Sequence, residues 1–179
     1  MKWTLIYIVL TIGMLSCTQQ RPSDFELYGG GSINLDAKAY ALMFLAPDCP
    51  LCQTYSTEFV KLSKTASIPF YGVFTGDLYT DQERKHFIDS FAFDLPILKD
   101  YDWAFAKSLD ARTTPEFFIM STSGAVMYRG RFDNWATNLA AKRTKPTEFY
   151  FADALQAFEH HEEIQIKETE PLGCVIEFD

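Results

Sequence analysis

Cys49-Pro50-Leu51-Cys52 places two thiols three residues apart, directly after the apolar run Tyr40–Leu45 and directly before a helix-like stretch. Two such thiols on a strand-to-helix turn can close a short disulfide and reopen it. Unpaired backbone N–H groups and the positive end of the macrodipole at a helix N-terminus both favour thiolate over thiol. Pro50 suits the first helical position, because its fixed φ fits there and its missing N–H is no loss. The spacing therefore predicts redox chemistry with Cys49 at the helix mouth and Cys52 one turn in, more deeply covered. Asp48 opposes the dipole, since a carboxylate beside a thiolate raises its pKa. Asp48 and Pro50 are thus the expected modulators of the pair.

The elements that must hold this turn read as alternating strands and helices. Apolar runs predict strands at Ala41–Leu45, Pro69–Thr75, Leu95–Leu98 and Glu116–Met120, with Ala125–Arg131 forming a hairpin with the last across the turn Ser121–Gly124. Helical spacing predicts Leu51–Lys64, Thr80–Ser90, Tyr101–Leu109, a short helix Ala136–Ala141 after the turn Asp133-Asn134-Trp135, and Thr147–Glu159. This order indicates an α/β fold with a central mixed sheet flanked by helices. Arg129 and Arg131 alternate with Tyr128 and Phe132, which puts them on the hairpin's wet face.

The chain has 179 residues, 16 basic and 24 acidic side chains and a formal net charge of −8. That balance, without a Lys/Arg cluster, argues against nucleic acid and against electrostatic binding to anionic lipid. Sixteen Phe and nine Tyr exclude a largely disordered chain. Trp3 to Leu15 is almost wholly apolar, yet shorter than the roughly 20 residues a membrane span needs. With Met14-Leu15-Ser16-Cys17 it resembles a bacterial lipoprotein signal. That resemblance implies removal of residues 1–16, lipid on Cys17 and a membrane partner through that lipid. Residues 17–31, with Pro22 and Gly29-Gly30-Gly31, read as a lipidated N-terminus and tether; residues 32–160 as the domain; residues 161–179 as an acidic C-terminal extension carrying Cys174. Cys174 is expected as a small buried residue in a terminal strand; a third redox thiol or a metal ligand is the alternative.

A second motif joins the dithiol. Thr113-Thr114-Pro115 precedes the strand Glu116–Met120. Together with Ala46-Pro47-Asp48-Cys49-Pro50-Leu51-Cys52 and the hairpin Gly124…Tyr128-Arg129-Gly130, it resembles the thioredoxin-like superfamily, and most of all the redoxin proteins of the bacterial envelope related to thiol–disulfide oxidoreductases of cytochrome c maturation. The resemblance covers about Leu35 to Phe158. It implies a thioredoxin-like three-layer fold, Cys49 as attacking and Cys52 as resolving thiol, a cis Pro115, and Thr114 presenting its backbone to an extended substrate. It further implies a protein thiol or disulfide as substrate, an electron-donor thiol protein as partner, a location in the cell envelope facing periplasm or cell surface, and no cofactor beyond the Cys49–Cys52 disulfide. Met43 stands where thioredoxins carry a buried acid, which leaves Glu58 and Glu116 as candidate proton-transfer groups.

Other chemistries ask for other residues. A thiol peroxidase needs a hydroxyl three residues before its reactive cysteine, where Ala46 stands, and an arginine such as Arg112 or Arg129. A copper metallochaperone would use Cys49 and Cys52 as ligands, but His86, His160 and His161 lack ligand spacing to them, so no metal is expected. A non-catalytic binding lipoprotein would keep the dithiol only as a staple.

Overall fold

The computed structural model describes residues 21–178; the expected signal segment and Cys17 lie outside them. Five strands make the central sheet, in the order β5-β4-β3-β7-β8. These are β3 (Tyr40–Leu45), β4 (Phe70–Thr75), β5 (Ile97–Asp100), β7 (Glu116–Met120) and β8 (Val126–Gly130). β3, β4 and β5 run parallel, and β7 and β8 are antiparallel to their neighbours. The fold is therefore thioredoxin-like α/β with a mixed sheet between two helical layers.

Alternation along β3 builds both layers, because successive side chains point to opposite faces. Ala41, Met43 and Leu45 face one core with Phe59 of α1 (Pro50–Ser63), Phe87 of α2 (Asp81–Phe91) and Phe151 of α4 (Tyr150–Glu159). Leu42 and Phe44 face the other, with Phe105 and Ala106 of α3 (Ala104–Leu109). All six residues of β3 are buried, as expected for the middle strand of a sheet covered on both faces. Among the described residues no helix is long and apolar enough to cross a membrane.

Asp100, at the end of β5, ties the second layer to the sheet. Its buried carboxylate accepts from Phe105 N (2.8 Å), Ala106 N (2.9 Å) and Thr75 Oγ1 (3.0 Å), so it caps the start of α3 from outside the helix. Asp100→Ala is expected to cost about 1–2 kcal/mol in urea unfolding, through the donors left unpaired.

Two expectations change, and the C-terminal extension gains a defined place. The tether ends earlier than the composition implies: β1 (Asp24–Glu26) and β2 (Ser32–Asn34) form an antiparallel hairpin across the glycine triplet, and Phe25 is buried against Phe105 at 4.5 Å between centroids. Leu27 and Ile33 pack beside Phe25, and Tyr28 packs on the other core, so the apolar residues are too scattered to leave a period to read. Residues 136–141 are not helical. Asn138 Oδ1 accepts from the N–H groups of Ala140 and Ala141, both at 2.8 Å, and this side-chain bonding replaces the helical pattern. The C-terminal extension is folded back onto the domain: β9 (Cys174–Val175) pairs antiparallel with β6 (Thr113–Thr114), and Ile164 and Ile176 are core residues.

Candidate active site

Cys49 is the N-cap of α1 and Pro50 is its first helical residue, so the dithiol opens that helix. Cys52 lies on the buried face with Tyr55 and Phe59, and its Sγ is 3.5 Å from the N–H of Ala46. Across from it, the Thr114–Pro115 peptide is cis, and Cys49 Sγ lies 2.9 Å from Thr114 O. β3, α1 and the loop before β7 therefore bring the two motifs together in space.

The two thiols are separated electrostatically. The Cys49 pKa is lowered to about 5: the Cys52 thiol donates to the Cys49 sulfur, and the Cys174 thiol adds a further hydrogen bond, together outweighing the burial that opposes ionisation. Cys52 is pushed well above the ordinary thiol value, first by burial and then by the hydrogen bond to Cys49 and its charge. These opposite shifts favour the thiolate at Cys49 and the protonated thiol at Cys52. The rate of Cys49 alkylation by iodoacetamide is expected to rise as pH increases through about 5 and then level off. An ordinary thiol would still be gaining thiolate at about pH 8.5. Peptide mapping of the alkylated chain across pH checks this.

Asp48 has a hydrogen-bond partner of its own: its exposed carboxylate accepts from the Tyr79 hydroxyl at 2.5 Å. Its charge bears on Cys174: the Cys174 pKa is raised to about 12 by burial, by hydrogen bonding to Cys49 and its charge, and lastly by Asp48. Glu58 is a solvated helix residue paired with Lys61 at 2.7 Å. Glu116 is fully buried and accepts from the N–H groups of Arg112 (2.7 Å) and Thr113 (3.3 Å) and from Arg129 Nη2 (3.1 Å). With its oxygens so engaged it holds the backbone at Arg112 and Thr113. Arg129 is correspondingly not on a wet face: its side chain is only 16% exposed, between Glu116, Asp110 and Glu168.

The largest departure concerns access. A helix mouth should leave Cys49 approachable, yet both Cys49 and Cys52 have no accessible surface. The cover is the tail. Thr114 pairs with Cys174 and Thr113 with Val175, and Ile176 N donates to Arg112 O at 3.0 Å. Cys174 Sγ lies 3.0 Å from Cys49 Sγ. Cys174 does sit in a terminal strand, but it faces the dithiol instead of filling the core. Two glycines admit the tail so closely. A Cβ on Gly173 would stand 2.2 Å from Thr114 O, and one on Gly130 would stand 2.2 Å from Thr169 O. Among the described residues no group of His, Cys, Asp and Glu is arranged to hold a metal ion.

No protein-family model and no curated protein matches the chain. Solved structures do. An uncharacterized conserved protein from Geobacillus kaustophilus superposes with a TM-score of 0.74 at 23% identity, over 89% of this chain and 91% of its own. A hypothetical protein from Sinorhizobium meliloti 1021 does so with a TM-score of 0.71 at 20% identity, over 89% and 93%. A secreted Mycobacterium tuberculosis disulfide oxidoreductase homologous to E. coli DsbE gives a TM-score of 0.55 at 15% identity, over 75% and 94%. At these identities the likeness establishes the fold.

Proposed function

We propose that this chain is a thiol–disulfide oxidoreductase of the bacterial cell envelope, exchanging disulfides with protein substrates through Cys49 and Cys52. The observation that carries the reading is the low-pKa thiolate at the head of α1, within 2.9 Å of the backbone beside the cis Thr114–Pro115 peptide. The disulfide oxidoreductase among the solved structures of this fold supports it.

The chemistry is two successive sulfur displacements. Cys49 thiolate attacks a substrate disulfide; one substrate sulfur leaves as thiolate and the other stays bonded to Cys49. Cys52 loses its proton and attacks Cys49 Sγ, which closes Cys49–Cys52 and releases the second substrate thiolate. The substrate gains two electrons and the dithiol loses them. An electron-donor thiol protein then restores the reduced pair. Ala46 offers no hydroxyl to hold a peroxide, and this disfavours the peroxidase alternative. The full chain is expected to accelerate insulin-disulfide reduction by dithiothreitol. A rate equal to that of dithiothreitol alone would sink the reading.

Lipid attachment at Cys17, outside the described residues, rests on the apolar segment before it. Cys17→Ala is expected to release the chain from the membrane fraction with insulin reduction retained; membrane association that persists in this variant counts against the anchor.

A further inference from the structure

The tail does more than cover the dithiol. Cys174 stands over Cys49 as a partner's sulfur would, and it is held there by strand pairing to the same backbone, Thr113–Thr114, that the proposed reaction offers to an extended substrate. Thr114 Oγ1 donates to Cys174 O at 3.4 Å, and Gly173 packs on the cis peptide itself. Ile176 anchors the far end in the core beside Phe105 and Phe118. Upstream, Thr169 N donates to Arg129 O (3.1 Å) and Arg131 N to Thr169 Oγ1 (2.8 Å), so the approach to the site is fixed along β8. A loosely lying tail would need none of this.

We propose that Cys174 is a third redox thiol, and that Leu172–Ile176 is a tethered occupant of the substrate groove which forms an internal Cys49–Cys174 disulfide. The proposal rests on the dithiol reading above and deepens it. The pair is positioned for the bond, since closing from 3.0 Å to the disulfide length of about 2.05 Å needs a movement of only ~1 Å.

The step balances without an external oxidant. In the oxidised chain, Cys174 thiolate attacks Cys49 Sγ; Cys49–Cys174 forms as Cys49–Cys52 breaks. Cys52 leaves as a thiolate and takes up the proton that Cys174 gave up. No electrons are gained or lost, and attack by Cys52 on Cys49 reverses the exchange. The groove is occupied while Cys49–Cys174 is closed, so a substrate must wait for Cys52 to reopen it. Conversely, once Cys49 carries a substrate sulfur, Cys174 competes with Cys52 to release it.

The test uses the full chain with Cys52→Ser, treated with oxidised glutathione and mapped after acid quench. The expected result is loss of the free thiols of Cys49 and Cys174 into one intramolecular cross-link. In the double variant Cys52→Ser/Cys174→Ser the glutathione adduct on Cys49 persists instead. A single variant that retains a free Cys174 beside a glutathionylated Cys49 overturns the proposal. The native chain provides a second measurement independent of either substitution. Across a series of glutathione ratios, Cys49–Cys174 peptides should appear alongside Cys49–Cys52 peptides, and their absence at every ratio is equally decisive against it. None of these readouts needs a protein substrate. Cross-linking without insulin reduction would therefore remove the proposed function alone, and insulin reduction without cross-linking would remove this inference alone.

Discussion

Replacing Cys49 by serine is expected to lower insulin-disulfide reduction by a factor on the order of 10³ or more, to the rate of the thiol donor alone. The hydroxyl that replaces the sulfur is not ionised at neutral pH and cannot form the mixed disulfide, so the first displacement is lost. Cys52 cannot take over: it lies a turn into α1 on its buried face and its pKa is raised. Serine is nearly isosteric, and thermal melting of the variant should stay close to that of the parent, which separates a chemical loss from an unfolded one. Cys52→Ser is expected to behave differently, because Cys49 can still attack. Equal residual rates in the two variants would contradict the assigned roles.

Gly173→Ala is expected to speed alkylation of Cys49 roughly 10–100-fold at neutral pH. The added methyl would meet Thr114 O at 2.2 Å, Thr114 C at 2.6 Å and Pro115 N at 3.0 Å. All three are backbone atoms of a loop whose position Glu116 fixes from below, so the tail must move instead. Losing that close seat costs about 1–3 kcal/mol of tail docking, and each 1.4 kcal/mol multiplies the lifted population by ~10. The alkylation rate follows that population, since Cys49 is inaccessible while the tail is down. An unchanged rate would mean that something other than the tail controls access. Thr169 and Ile176 have contacts of their own, so the change is expected to stay within the segment over the dithiol.

The gate has a physical counterpart in the composition of its two sides. Thr113 and Thr114 lie in a two-residue strand that, among the described residues, pairs with β9 alone, and β9 is equally short. A pairing this small is weak by itself and depends on the side chains at its ends. Val175 is 75% exposed and contributes little; Ile176 and Leu172 supply the apolar contact. Such an element opens at low cost compared with the five-stranded sheet beneath it. The proposed reaction needs a dithiol that is both shielded and reachable, and that difference serves it.

Much of the molecule is legible in the residue order. The strand before the dithiol, Pro50 at the first turn of α1, the buried face of that helix and the strand after Pro115 all follow from periodicity and capping between residues close in sequence. Those signals are local, so they survive without knowledge of the fold, and they suffice to place both cysteines at the start of α1 and to assign the fold class. Other features depend on residues far apart in the chain. Phe25 folds the supposed tether because a pocket beside Phe105 receives it. Asn138 undoes a helix that its neighbours would permit. Arg129 leaves solvent for Glu116, a buried carboxylate that no spacing reveals. Cys174 meets Cys49 across nearly the whole domain, through two glycines whose value lies in what stands opposite them. Burial and long-range pairing depend on which surfaces the chain brings together, and only the tertiary structure decides that: the residue order placed two thiols at the head of one helix, and the packing decided what covers them.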